Sequence, residues 1–144
     1  MPKNATMSAF QTQAEPIRVL VASSDKHVRS VVAWTLAHDR RFEIVAAMKT
    51  GDEVVAFEGP TDVAVLDLAV AGLGILGVIR RLLRRQPAPA IVVIGHANAV
   101  YLRHAMAGEG AADYLVIPDD AHELTERVLK AANTANSAGR KPAA

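Results

Sequence analysis

Five short apolar runs punctuate the chain, at Ile17–Ala22, Phe42–Ala47, Val63–Asp67, Ala90–Ile94 and Ala112–Val116. Most are continuous rather than alternating, the pattern of strands covered on both faces. Between them the apolar period changes from two to about 3.6. After the first run Val28, Val31, Val32, Thr35 and Leu36 form a helical stripe, and after the third Ile75, Leu76, Ile79, Leu82 and Leu83 form another. Gly51-Asp52-Glu53 opens a short helix that must end before Gly59-Pro60. A last helix begins after Pro118, where Asp120 is followed three residues on by Glu123, and its stripe is Leu124, Val128 and Ala131.

Strand and helix alternating in this way predict an α/β fold, a doubly wound five-stranded parallel sheet with right-handed crossovers. In such sheets ligands and chemistry collect at the carboxyl ends of the strands. The folded domain is predicted over residues 17–132. Residues 1–16 and 133–144, rich in Ala, Asn, Thr, Lys and Pro without hydrophobic period, are predicted to be disordered tails.

A length of 144 residues suits one domain. The net charge of +1 gives no bulk attraction to nucleic acid or to a membrane surface. With no cysteine, disulfides, thiolate metal sites and cysteine nucleophiles are excluded. No apolar stretch approaches the roughly 18 residues of a membrane span, and residues 1–16 lack a signal-peptide core. A cytoplasmic location is the expectation.

At the predicted strand ends lie Ser23, Ser24 and Asp25, then Asp67, then Gly95 and His96, then Ile117-Pro118. With the stretches VLVASSDKHVR, TDVAVLDLAVAGLG, IVVIGHA and GAADYLVIP, these residues make the chain resemble response-regulator receiver domains of the CheY-like superfamily over nearly all of residues 17–132. The resemblance implies the flavodoxin-like (βα)5 receiver fold and a role in two-component, phosphorelay-type signalling in bacteria. It implies Asp67 as the phosphoacceptor; from the residues alone a carboxylate capping the following loop is the alternative. Where the family has an acidic pair that holds Mg²⁺, this chain has Ser23-Ser24, with Asp25 one position beyond, where it is expected to start a helix. Hydroxyls are weak Mg²⁺ ligands, so poor metal affinity is expected. Gly95 stands where the family has Thr or Ser, and Ile117 where it has Lys. The resemblance further implies a cis Ile117-Pro118 bond and places Tyr114 at the family's switch aromatic. Tyr101 and Tyr114 then become candidates for the partner face of fourth helix, fifth strand and fifth helix, with core packing the rival reading for Tyr114.

Other features carry less. His27, His38, His96, His104 and His122 show no metal-ligand spacing and are read as surface residues. No base is placed beside Ser23 or Ser24 by any motif, so turn and cap duty is expected of them. Arg80, Arg81, Arg84 and Arg85 read as a solvated helix face. GLGILG fits a dinucleotide pattern locally but follows the third strand, not the first.

The expectation is an atypical receiver that acts by protein–protein interaction and is not an enzyme. Its expected partner is a histidine kinase, another regulator or a second copy, with no membrane and no direct nucleic acid contact. The alternatives are a working phosphorelay receiver phosphorylated on Asp67, and the first part of a DNA-binding regulator, since residues 42–56 resemble receivers that precede helix-turn-helix outputs.

Overall fold

The computed structural model describes residues 15–117 and 120–135. Outside them lie residues 1–14 and 136–144 of the predicted tails, and Pro118 with the expected cis Ile117-Pro118 bond. The strands are β1 (Ile17–Ala22), β2 (Phe42–Met48), β3 (Val63–Asp67), β4 (Ala90–Gly95) and β5 (Asp113–Val116). They form one parallel sheet in the order β2-β1-β3-β4-β5. The helices are α1 (Lys26–Ala37), α2 (Gly51–Ala56), α3 (Ile75–Leu83), α4 (Arg103–Gly108, entered through a 3₁₀ turn at Ala97–Leu102) and α5 (Ala121–Ala135). The predicted doubly wound architecture is therefore present.

The period of two along each strand divides the core. Val19, Val21, Val63, Val65, Val92, Ile94 and Leu115 face α1 and α5, which bring Val32, Leu36, Leu124 and Val128. Leu20, Ala22, Ala64, Leu66, Ile91 and Val93 face the other way, toward Val54 of α2, Ile79 and Leu82 of α3, and Met106 of α4. Every residue of β3 and β4 is buried, as continuous apolar runs require. Each fully buried Val, Leu or Ile contributes roughly 1.5–3 kcal/mol, so the central strands are the main source of stability.

The starts of α1 and α2 follow capping chemistry. Asp25 accepts hydrogen bonds from His27 N (2.8 Å) and Val28 N (3.1 Å), satisfying two of the orphan amides of α1. Thr50 and Glu53 form a reciprocal capping box that lets six-residue α2 exist at all. Some edges differ from the sequence reading. The second and fourth strands run one residue further, the fifth starts one later, and α5 continues past the expected boundary at Ala132 to Ala135. Val31, Leu76 and Leu83 are exposed, because each helix rests a narrow stripe on the sheet and these positions lie at its margin.

Candidate functional site at the strand ends

Because β1 and β3 pair directly, with Ala22 opposite Leu66, the residues after Ala22 and at the end of β3 meet at the carboxyl edge of the sheet. The Ser23 hydroxyl donates to Asp67 Oδ2 at 2.7 Å. Both side chains are buried, Asp67 being 8% exposed. The other carboxylate oxygen, Oδ1, accepts Ala69 N–H at 2.9 Å, so Asp67 also closes the turn that follows β3. Ser23 Oγ accepts in turn from Asp25 N–H at 3.1 Å. A guanidinium is close by, but Arg29 Nη1 donates to the Ser23 carbonyl at 2.8 Å rather than to Asp67. Among the described residues no ion pair reaches Asp67.

Ser24 acts elsewhere. Its hydroxyl donates to Lys49 O (2.8 Å) and accepts from Ala71 N–H (2.7 Å), pinning the loop after β3 to the end of β2. Gly51 N–H to Ala71 O (2.8 Å) and the Thr50–Ala71 bridge hold the same loop from the α2 side. The serines therefore do more than the turn and cap duty read from the sequence: Ser23 binds the strand-end carboxylate and Ser24 staples a loop. Nothing in the local sequence signals either role, since each partner is more than 40 residues away or a backbone atom of another loop.

The donor set does not suit the Mg²⁺ of the resembled family. That ion needs several hard oxygens, and among the described residues Asp67 has no second carboxylate bonded beside it, while Asp25 spends its carboxylate on the α1 amides. Among the described residues no group of three or more His, Asp or Glu side chains is placed to hold a metal.

Gly95 and Ile117 lie at the ends of the next two strands and are joined by Ile117 N–H to Gly95 O (2.7 Å). Ile117 packs on the core shared with α1 and α5. Tyr101 is 76% exposed on the 3₁₀ turn. Tyr114 is not: at 1% exposure it packs in the core, one of the two readings the sequence left open for it. The physical reason is Gly95, whose missing side chain leaves the space the phenol fills. Burial pushes the Tyr114 hydroxyl pKa up; the Arg103 cation opposes this and the Asp67 charge adds to it. Arg103 sits over the Tyr114 ring, 5.9 Å from its centre. All five histidines are exposed, and Arg80 of the basic helix pairs with Glu109 at 3.1 Å.

No family model matches the chain. The protein-glutamate methylesterase/protein-glutamine glutaminase 5 of Myxococcus xanthus is 35% identical over 89 residues, which are 60% of this chain and 26% of that protein. A protein of the same description, numbered 2, from Carboxydothermus hydrogenoformans is 30% identical over 122 residues, 79% of this chain and 34% of that one. The chain thus spans about a quarter to a third of the length of these curated relatives. Among solved structures, the receiver domain of AraT from Geobacillus stearothermophilus superposes with a TM-score of 0.74 at 22% identity, covering 85% of this chain and 97% of that one. The response regulator domain of Thermotoga maritima CheB gives 0.70 at 23%, covering 82% and 97%. The chain has the fold of CheY-like response-regulator receiver domains.

Proposed function

We propose that the chain is an atypical receiver that signals through a protein partner without accepting phosphate on Asp67. One observation carries this reading. Both oxygens of the Asp67 carboxylate are engaged by neutral donors, the Ser23 hydroxyl and the Ala69 amide, and among the described residues neither a second carboxylate nor a cation bonded to Asp67 completes the site. In-line transfer of a phosphoryl group depends on metal and cationic side chains to neutralise the charge that builds up. A nucleophilic oxygen already accepting a 2.7 Å hydrogen bond must also lose that bond before it attacks.

The partner is a signalling protein, a kinase or another regulator, and the exposed Tyr101 belongs to the surface that would meet it. The esterase and glutaminase activities named for the relatives belong to proteins of which this chain matches a quarter to a third, and no residue here is proposed to perform them. Among the described residues no helix is long and apolar enough to cross a membrane.

Intact mass with and without acetyl phosphate and Mg²⁺, on wild type and Asp67→Asn, tests the reading. No gain on either protein is expected. A gain of one phosphoryl mass on wild type alone would replace this reading with a working phosphorelay receiver.

A further inference from the structure

Among the described residues, the Tyr114 hydroxyl is the buried side-chain polar atom without a hydrogen-bond partner. An unpaired buried hydroxyl is unfavourable by roughly 1–3 kcal/mol, so something must hold it there. The ring itself is part of that something. It fills the core between the sheet and the α3–α4 layer, where aromatic burial outweighs one lost hydrogen bond. The other part is the residue it rests on. A Cβ built at Gly95 would overlap the Tyr114 hydroxyl, stand 3.1 Å from Cζ of the ring, and lie 3.5 Å from Leu68 Cβ. Any side chain at position 95 therefore competes with the phenol for one space.

Leu68 ties this seat to the strand-end carboxylate. It follows Asp67 directly, and its N–H donates to Ile94 O at 2.8 Å. The end of β3, the end of β4 and the tip of the phenol are thus stacked against one another. With glycine at 95 there is no side chain between them to move.

We infer that Gly95 and Tyr114 form a fixed seat and plug, which holds the phenol inside and keeps the surface of β5, the 3₁₀ turn and α4 in one arrangement whatever the state of Asp67. The seat itself stands on packing alone. Its independence from Asp67 rests on the proposed function, and the experiment separates the two. Among the described residues, the charged and titratable groups whose fields reach the phenol are Arg103, over the ring, Asp67 and Tyr101.

The chain has two tyrosines, so nitration by tetranitromethane with peptide mass mapping reads the plug directly and Tyr101 serves as its reference. In wild type Tyr101 is expected to react and Tyr114 to react at least about tenfold more slowly. In Gly95→Ala the phenol is displaced, Tyr114 approaches the rate of Tyr101, and the melting temperature falls. Tyr114→Phe removes the orphan hydroxyl and should raise the melting temperature by about 3 °C. Should Gly95→Ala not fold, the double variant that combines Gly95→Ala with Tyr114→Phe keeps the test alive, because the atom that overlaps Cβ is gone and folding should return.

Tyr114 reacting as fast as Tyr101 in wild type would overturn the inference. So would a Gly95→Ala protein that folds with Tyr114 still protected, or a double variant no better than the single. Repeating wild-type nitration after acetyl phosphate treatment distinguishes the two readings. A phosphoryl group on Asp67 with Tyr114 still protected would sink the proposed function and leave the plug standing; a rise in Tyr114 reactivity on phosphorylation would sink the plug.

Discussion

At the amino end of β3, Asp62 accepts hydrogen bonds from Arg18 N (2.8 Å), Nε (3.0 Å) and Nη2 (3.3 Å). At the carboxyl end of the same strand, Asp67 is more deeply buried and has a hydroxyl and an amide. The contrast extends along the sheet. Asp113, the first residue of β5, takes Arg127 Nε and Nη2 at 2.7 Å each, and Asp39, ahead of β2, takes Arg41 Nε at 3.0 Å and Nη2 at 2.7 Å. Amino-end aspartates in this protein are neutralised by guanidinium forks, which match a carboxylate bidentately. The strand-end aspartate where receiver chemistry is expected has none among the described residues. A buried carboxylate stabilised by neutral donors alone is the position where added charge, of either sign, is felt most.

The largest effect should come from adding negative charge there. Ser23→Asp removes the 2.7 Å hydrogen bond and sets a second carboxylate beside Asp67. Two carboxylates about 5 Å apart at an effective dielectric of about 20 repel by ~3 kcal/mol. The variant should lose about that much stability in urea denaturation with EDTA, and recover much of it with Mg²⁺, because two carboxylates begin to make the cation site that one does not. Equal stability of wild type and variant in EDTA would show that Asp67 does not feel charge as its burial implies.

The sheet was legible in the sequence because its central strands are covered on both faces, so that Val63–Asp67 and Ala90–Gly95 had to read as unbroken apolar runs. The Asp25 cap was legible for the same kind of local reason: a short acidic side chain just ahead of a helical stripe has one good use. The site was legible only as positions. Ser23 and Asp67 are 44 residues apart, and their bond depends on strand pairing that no local pattern encodes. Period two assigns Tyr114 to one face of β5 but does not say whether that face is filled; that depended on the side chain missing from Gly95, on another strand. Arg29 shows the same limit, since its position on α1 gives no hint that it serves the Ser23 carbonyl.

A smaller effect separates the two ends of β3 directly. Asp62→Asn weakens a bidentate pair that is partly exposed and should lower stability by about 1 kcal/mol. Asp67→Asn should cost less, or nothing. Its amide oxygen can accept Ala69 N–H, its amide nitrogen can donate to Ser23 Oγ, and the Ser23 hydroxyl can turn to Asp25 O, already 3.3 Å away. Removing a buried charge that has no cation bonded to it offsets what is lost. Parallel urea midpoints decide the matter, and a larger loss at 67 than at 62 would mean that the Asp67 charge is stabilised by something beyond its two neutral donors.

The smallest effect lies at acid pH, at the amino-end pair of β5. Burial alone would raise the Asp113 carboxyl pKa, but the hydrogen-bonded Arg127 guanidinium, the Tyr114 N–H and the Arg103 charge together outweigh burial and lower it. A carboxyl whose folded pKa is lowered binds its proton more weakly folded than unfolded, so stability rises with pH across the interval between the two values. The contribution is complete above the unfolded value of about 3.9 and is lost as pH falls through the lowered folded value. Asp113→Asn should therefore be less stable than wild type at neutral pH and show a flatter decline below about pH 4, the two curves converging in acid. Among the described residues Asp67 has no such fork, so Asp67→Asn should leave the part of the acid limb owed to Asp113 intact. An acid limb that flattens in Asp67→Asn and not in Asp113→Asn would reverse the contrast between the two ends of the sheet.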